Sequence, residues 1–352
     1  METKRIDFID LAKGLCIIFV VIFHLEIIFD SHSLFSEIAQ CFRMPLYFIL
    51  SGLFFKDYGG FKYFLVKKTN KLAIPYIFFY ITNILLFPYI RYLTLPSHYE
   101  EPIIGTNYLF CFYFEKANDG PNAIWFLLCL FILNLIFYAI FAISKHVSTY
   151  FHERESSSRF ILLLILLSLI VGYIGYHLGT HNIKLNMYLD SALTVVPFFC
   201  FGFLLRKYTN VLYPNRFDRY NFLFIIISLI LIIYLGHHIS YRSNVYYVSI
   251  FSLYFSGIAG SLAILFIAKY IKKMPVISYI GRYSIIMLCT HEIIISLMKI
   301  VFYFLNIDIS NTTRQIISFF AIIILETTVV IPFMIKYMPY VTAQKDIIKL
   351  EQ

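Results

Sequence analysis

The sequence predicts an all-α integral membrane protein with about ten transmembrane helices and both termini in the cytoplasm, and three observations carry that fold class. Of 352 residues, 60% are hydrophobic and only 14% charged, far from the mix of a soluble globular domain. Ten stretches stay apolar over the roughly 17–25 residues that a membrane helix needs: about 11–29, 36–55, 72–92, 123–143, 160–178, 187–205, 220–237, 245–268, 277–304 and 315–335. The Lys and Arg between them are unevenly shared. With the N-terminus inside, the inner segments hold twenty and the outer ones four, Lys116, Lys184, Arg242 and Arg314, as the positive-inside bias requires. That placement accounts for the formal charge of +9 without a nucleic acid.

The first span carries "KGLCIIFVVIFHLEIIF". It follows a charged start, as a signal peptide would, but holds Lys13, His24 and Glu26 and is followed by no A-x-A cleavage site, so it is expected to be a retained helix. Lys13 and His24 are eleven positions apart, about 20° from three full turns and about 16 Å along the axis. They share one face, with Lys13 near the cytoplasmic boundary and His24 past the midplane. An ionisable group inside a span faces a cavity or a partner. Lys13 also fits a snorkelling end residue, and His24 also fits a histidine bonded to a neighbouring helix. Glu26, near the outer interface, is given no role.

The second span, "FRMPLYFILSGLFF", places Arg43 about two turns into the membrane, where a guanidinium needs a carboxylate, carbonyl or water and could fix an anionic or carbonyl-bearing group. Ser51-Gly52 would admit another backbone closely. The loop "KDYGGFKYFLVKKTNKLAIPY" clusters five lysines before Pro75. Topology alone explains them, although such lysines could also hold cofactor phosphates or anionic lipid.

The longest external connection is expected over 94–122, and "HERESSSR" is a polar cytoplasmic linker. Asp190 in the sixth span and Glu326 in the last are candidate partners for buried cations. The segment 277–304 is long for one span and either tilts or starts as an interfacial turn around Pro275. It carries Arg282 at the inner boundary and His291-Glu292 deeper. Two histidines at mid-membrane depth suit proton chemistry in an enclosed site. Five of the six cysteines fall in expected spans and no C-x-x-C occurs, so neither a disulfide framework nor a metal site is expected. No inverted repeat of the kind seen in transporters is visible. Residues 1–336 form one transmembrane domain and 337–352 a short cytoplasmic tail.

Taken in order, "RIDFIDLAKGLCIIFVVIFHL", "RMPLYFILSGLFF", "FLVKKTNKLAIPYIFF", "NAIWFLLCLFILNLI", "VPFFCFGFLLRKY" and "IGRYSIIMLCTHEIII" resemble blocks of the acyltransferase 3 family, membrane O-acyltransferases that modify bacterial surface polysaccharides. The resemblance spans nearly the whole chain, and Lys13 and His24 match the family's Arg/Lys and His spacing. It implies a multi-pass protein of the bacterial cytoplasmic (inner) membrane. The donor would be cytoplasmic acyl-CoA, acetyl-CoA by default, acting as co-substrate with no permanently bound cofactor. The acceptor would be a carbohydrate hydroxyl, free or lipid-linked, and membrane lipids would be the remaining partners.

The resemblance makes His24 the catalytic base or acyl-handling residue and Lys13 a group orienting it or the donor. Arg43, Lys68, Lys71, Arg282 and His291 are the acyl-CoA or substrate-binding candidates. The family's Arg-x-x-Arg appears as Lys68-Thr69-Asn70-Lys71, which keeps charge but loses bidentate geometry. The main rival is a transporter or flippase for a lipid-linked glycan or organic anion. A second is an assembly scaffold in which the buried charges are structural.

Overall fold

The computed structural model describes residues 6–31, 33–94, 123–151, 157–209, 211–212, 219–235, 239–306 and 309–349. Most of the connection expected over 94–122, with Cys111, and residues 152–156 of the polar linker lie outside the described residues.

Helix α1 (Asp7–Ile28) opens with Asp7 and Asp10 in its first turn, where carboxylates complement the helix dipole. Next come α2 (Leu34–Leu53), α3 (Phe61–Lys68), a π turn at Thr69–Ala73 and α4 (Ile74–Thr94). Then follow α5 (Trp125–Tyr150), α6 (Ser158–Thr180), the short α7 (Leu189–Thr194), α8 (Val196–Tyr208) and α9 (Arg219–Leu235). Strands β1 (Ile239–Ser240) and β2 (Val245–Tyr246) pair antiparallel. The chain continues through α10 (Ile250–Ile271), α11 (Pro275–Arg282), α12 (Ser284–Phe304), α13 (Asn311–Leu325), a second π turn at Glu326–Val330 and α14 (Ile331–Tyr337). Ser157 and Ser310 cap α6 and α13 through side-chain bonds to Phe160 N and Thr313 N. Each π turn precedes a proline, Pro75 or Pro332. A proline offers no N–H to the carbonyl one turn back, which favours local widening of the helix.

A helix stands at each of the ten expected spans, and the molecule is a multi-pass membrane protein. Six helices among the described residues are long and apolar enough to cross a membrane, or seven if the pair Asn186–Thr194 and Val196–Tyr208, bent by 52°, counts as one. Three expected spans differ in form. The sixth breaks at Val195, just ahead of Pro197. The eighth begins at Ile250 rather than 245, because Val245–Tyr246 pairs in the hairpin. The ninth breaks at Tyr283 into a short α11, begun by Pro275, and the apolar α12.

The chain packs as two compact units. The first comprises Met1–Glu37, Asn70–Leu127 and Ile271–Ile347, and in it α1 lies against α11, α12 and α13, while α4 lies against α12. Gly14 and Gly281 let α1 and α11 touch backbone to backbone: a Cβ at Gly14 would collide with the Ile277 carbonyl, and one at Gly281 with that of Asp10. At the other end of α1, Phe29 meets Phe302 edge to face at 6.1 Å, and Gln315 Nε2 donates to Ser31 Oγ.

The second unit comprises Ile38–Thr69, Leu128–Tyr270 and Ile348–Gln352. Its core gathers Phe55, Phe64, Phe137, Phe141 and Phe199 in ring contact. Gly52 lies against the Phe199 carbonyl and Gly202 against that of Ile49, the close approach expected of Ser51-Gly52. The hairpin turn is tied down by Asn244, which accepts from Thr194 Oγ1 at 2.9 Å and donates to Gly175 O at 3.1 Å.

Candidate active site

Within the first unit, α1 and α12 bring three ionisable side chains together. His24 Nδ1 lies 2.7 Å from Glu292 Oε1, and the two residues are 8% and 6% exposed. The carboxylate's charge stands against the Nδ1 edge of the ring, which favours a proton at Nδ1 and leaves Nε2 with its lone pair. The ring of His291 meets that of His24 edge to face, centroids 5.1 Å apart. His291 Nδ1 lies 2.7 Å from the Met287 carbonyl, which can only accept, so Nδ1 carries the proton here too. His291 is fully buried, and its Nε2 has no hydrogen-bond partner among the described residues.

The preceding residue on α12, Thr290, donates from Oγ1 to Glu326 Oε1 at 2.5 Å. Glu326 opens the second π turn and is fully buried. Four consecutive polar or ionisable positions, Cys289 to Glu292, therefore lie buried in the middle of α12. π turns recur at functional sites because they re-aim side chains inside a helix.

Donor atoms of His24, His291 and Glu292 all fall within 4.8 Å of one another, a set that could hold a metal ion. Tetrahedral ligation at about 2.0–2.1 Å would set the ligand atoms about 3.3 Å apart. His24 Nδ1 and Glu292 Oε1, 2.7 Å apart, are in direct ion-pair contact instead. The arrangement is a histidine held by a carboxylate, able to take a proton at Nε2 and share the resulting charge with Glu292, as in hydroxyl-activating dyads.

Of the residues singled out from sequence, the structure brings His24 and His291 together and adds Glu292. Lys13 lies on α1 in the turn that Gly14 presses against α11, and Arg282 ends α11, exposed, with its guanidinium 5.4 Å from the Tyr283 ring. Lys71 donates to the Ala343 carbonyl at 2.6 Å and lies 3.5 Å from Asp346, while Asn70 Oδ1 accepts from Ile347 N at 2.9 Å. The lysine considered for donor phosphates thus grips the C-terminal tail. Arg43, buried on α2, and Lys68, half-buried on α3, belong to the second unit. Lys68 stands over the Phe64 ring at 5.6 Å, and burial pushes its ammonium down to about 8.

Glu292 is the residue that sequence reasoning left without a role. Its signal was present, since it adjoins His291 inside an apolar helix. Glu326, considered for a buried cation, bonds Thr290 instead. Glu26 accepts from Ser33 Oγ at 2.5 Å just past the end of α1.

A multi-pass membrane bundle with a buried His–carboxylate dyad defines the class, and comparison with known proteins gives the family. A family model described as "Acyltransferase domain" matches residues 6–332, so the chain belongs to the acyltransferase 3 family. Three curated relatives, each named "Glucans biosynthesis protein C", come from Salmonella paratyphi B, Salmonella enteritidis PT4 and Salmonella schwarzengrund. Each is 25% identical over 240 residues, which is 58% of this chain and 59% of the relative. This chain therefore spans less than two thirds of the length of those relatives. No solved structure matches it.

Proposed function

We propose that this protein is a membrane-embedded O-acyltransferase that moves an acyl group, acetyl by default, from cytoplasmic acyl-CoA to a hydroxyl of a surface or lipid-linked carbohydrate in the bacterial inner membrane. The observation that carries this assignment is the His24–Glu292 ion-pair contact of 2.7 Å, buried in a chain whose family match begins before α1 and ends after Glu326. The glucan in the relatives' name supports a carbohydrate acceptor.

In the direct form of the reaction, His24 Nε2 takes the proton of the acceptor hydroxyl while its oxygen attacks the thioester carbonyl. Collapse of the tetrahedral adduct breaks the C–S bond, and the imidazolium returns the proton to the departing CoA thiolate. Glu292 keeps the ring in the productive tautomer and stabilises the imidazolium. Burial limits hydrolysis, the competing reaction. Lys13 would orient the donor or His24 from the other end of α1, and Arg282, in the same unit, would contact the donor's charged groups.

The test is CoA release by purified protein in nanodiscs, with acetyl-CoA and a carbohydrate acceptor. Release should be lost in His24→Ala while the variant keeps the elution profile of the wild type. A wild type that moves glycan across the bilayer and leaves the thioester intact would make the protein a transporter.

A further inference from the structure

At the Ile28 end of α1, the end that the Lys/Arg distribution assigns to the outside, the first unit holds a cavity of about 840 Å³. This lies within the size range of small-ligand sites. Its wall includes Phe29 and Asp30 from the end of α1, Lys299 and Phe302 from α12, Asn306 just beyond α12, and Arg314 from α13. Two of these helices, α1 and α12, carry the dyad. Ile28, also in the wall, is one turn beyond His24, about 6 Å along α1. Lys299 is seven residues beyond Glu292, about 20° from the same line of α12 and about 10 Å along it. Phe302 stands in the same relation to His291, eleven residues on and again about 20° off. The faces that pair at His24–His291 meet again at Phe29–Phe302, so the dyad's seam continues into the cavity wall.

The wall is specific in its chemistry. Lys299 and Arg314 place two cations there against one carboxylate, Asp30, and neither Lys299 nor Asp30 has an ion-pair partner among the described residues. An ammonium and a guanidinium on adjacent helices suit a phosphate or carboxylate. Phe29 and Phe302 offer an apolar surface to the C–H face of a sugar ring, and Asp30 and Asn306 can hydrogen-bond its hydroxyls.

We propose that this cavity is the acceptor subsite, and that the sugar it takes is anionic, its phosphate or carboxylate held by Lys299 and Arg314. The proposal rests on the O-acyl transfer assigned above and gives its acceptor a charge class. It also sets a distance. Lys299 and Glu292 leave the backbone of α12 about 10 Å apart along its axis, a spacing that fits acylation of the sugar next to the one that bears the anion.

The experiment measures binding directly on the full chain in nanodiscs, with three disaccharides of one scaffold: neutral, phosphorylated and carboxylated. The wild type should bind at least one charged probe tenfold or more tighter than the neutral one, with an advantage that shrinks as salt is raised. The stronger charged arm identifies the anion. Lys299→Gln and Arg314→Gln should each lose about tenfold in charged-probe binding and leave neutral-probe binding unchanged, whereas Asp30→Asn should tighten charged-probe binding, a gain that misfolding cannot mimic. Equal binding of all three probes, or charged binding indifferent to Lys299, Arg314 and salt, overturns the proposal. CoA release is assayed on the same preparations. If it depends on His24 while sugar charge has no effect, the subsite falls and the transferase stands. If the wild type releases no CoA but charged binding requires Lys299, the transferase falls and the anionic site stands.

Discussion

Glu292 Oε1 and His24 Nδ1 lie 2.7 Å apart, which ties the orientation of an imidazole on α1 to a carboxylate on α12. Glu292→Gln keeps the shape but removes the negative charge beside Nδ1, so the ring loses both the bias toward a proton there and its counter-charge. The expected outcome is a fall in kcat of about 10²–10⁴ with the KM for acyl-CoA within a few-fold of wild type. Glu292→Asp should recover part of the rate. Steady-state CoA release decides, and a Glu292→Gln enzyme at full speed would remove the carboxylate from the mechanism.

His291 presents a buried lone pair at Nε2. It can accept from an acceptor hydroxyl, but in this tautomer it cannot donate to an oxyanion. His291→Phe keeps the ring contact with His24 and removes that acceptor, so the KM for the sugar should rise about tenfold while the KM for acyl-CoA stays constant. Equal changes in both would assign His291 to packing.

Lys68 loses its charge as pH rises through about 8, the value to which burial pushes it. If its ammonium meets the donor phosphates, the KM for acyl-CoA should climb between about pH 7 and 9. Lys68→Arg, charged throughout, should flatten that rise. Titrating acyl-CoA at each pH tests this, and a wild-type KM that stays flat excludes Lys68 from the donor site.

Gly281 lies where a Cβ would meet the Asp10 carbonyl, backbone that no side-chain rotation can clear. Gly281→Ala should destabilise the protein by about 1–3 kcal/mol and lower its melting temperature in detergent. Gly59, whose Cβ would meet nothing, is the wrong comparison because its φ of 77° already favours glycine. Ala142→Ser, at an exposed position on α5, is the better comparison, and it should leave the α1–α11 contact intact.

The helices were legible because apolar runs of membrane length have few alternatives, and the lysine-poor and lysine-rich loops were legible by composition. The break at Val195 and the strand pair at Val245–Tyr246 were not, since they depend on local backbone geometry inside runs of unbroken hydropathy, whereas the separate start of the ninth span was announced by its length and by Pro275. His24 and His291 stood out because ionisable groups are costly in a span. Their partnership did not, because one sequence carries no register between α1 and α12, and Glu292 was visible only as the neighbour of a histidine. Lys71 illustrates the converse: its charge suggested a phosphate, while its observed partners are on the C-terminal tail, residues that sequence distance places far away.

The dyad joins the first helix of the chain to one of its last. During synthesis α1 must therefore wait in the bilayer with His24 lacking its carboxylate until α12 has been inserted, which a neutral imidazole tolerates far better than a charged side chain would. The candidate site comes into existence only once α12 has joined α1, and a chain halted before α12 has no hydroxyl-activating group to misuse on water.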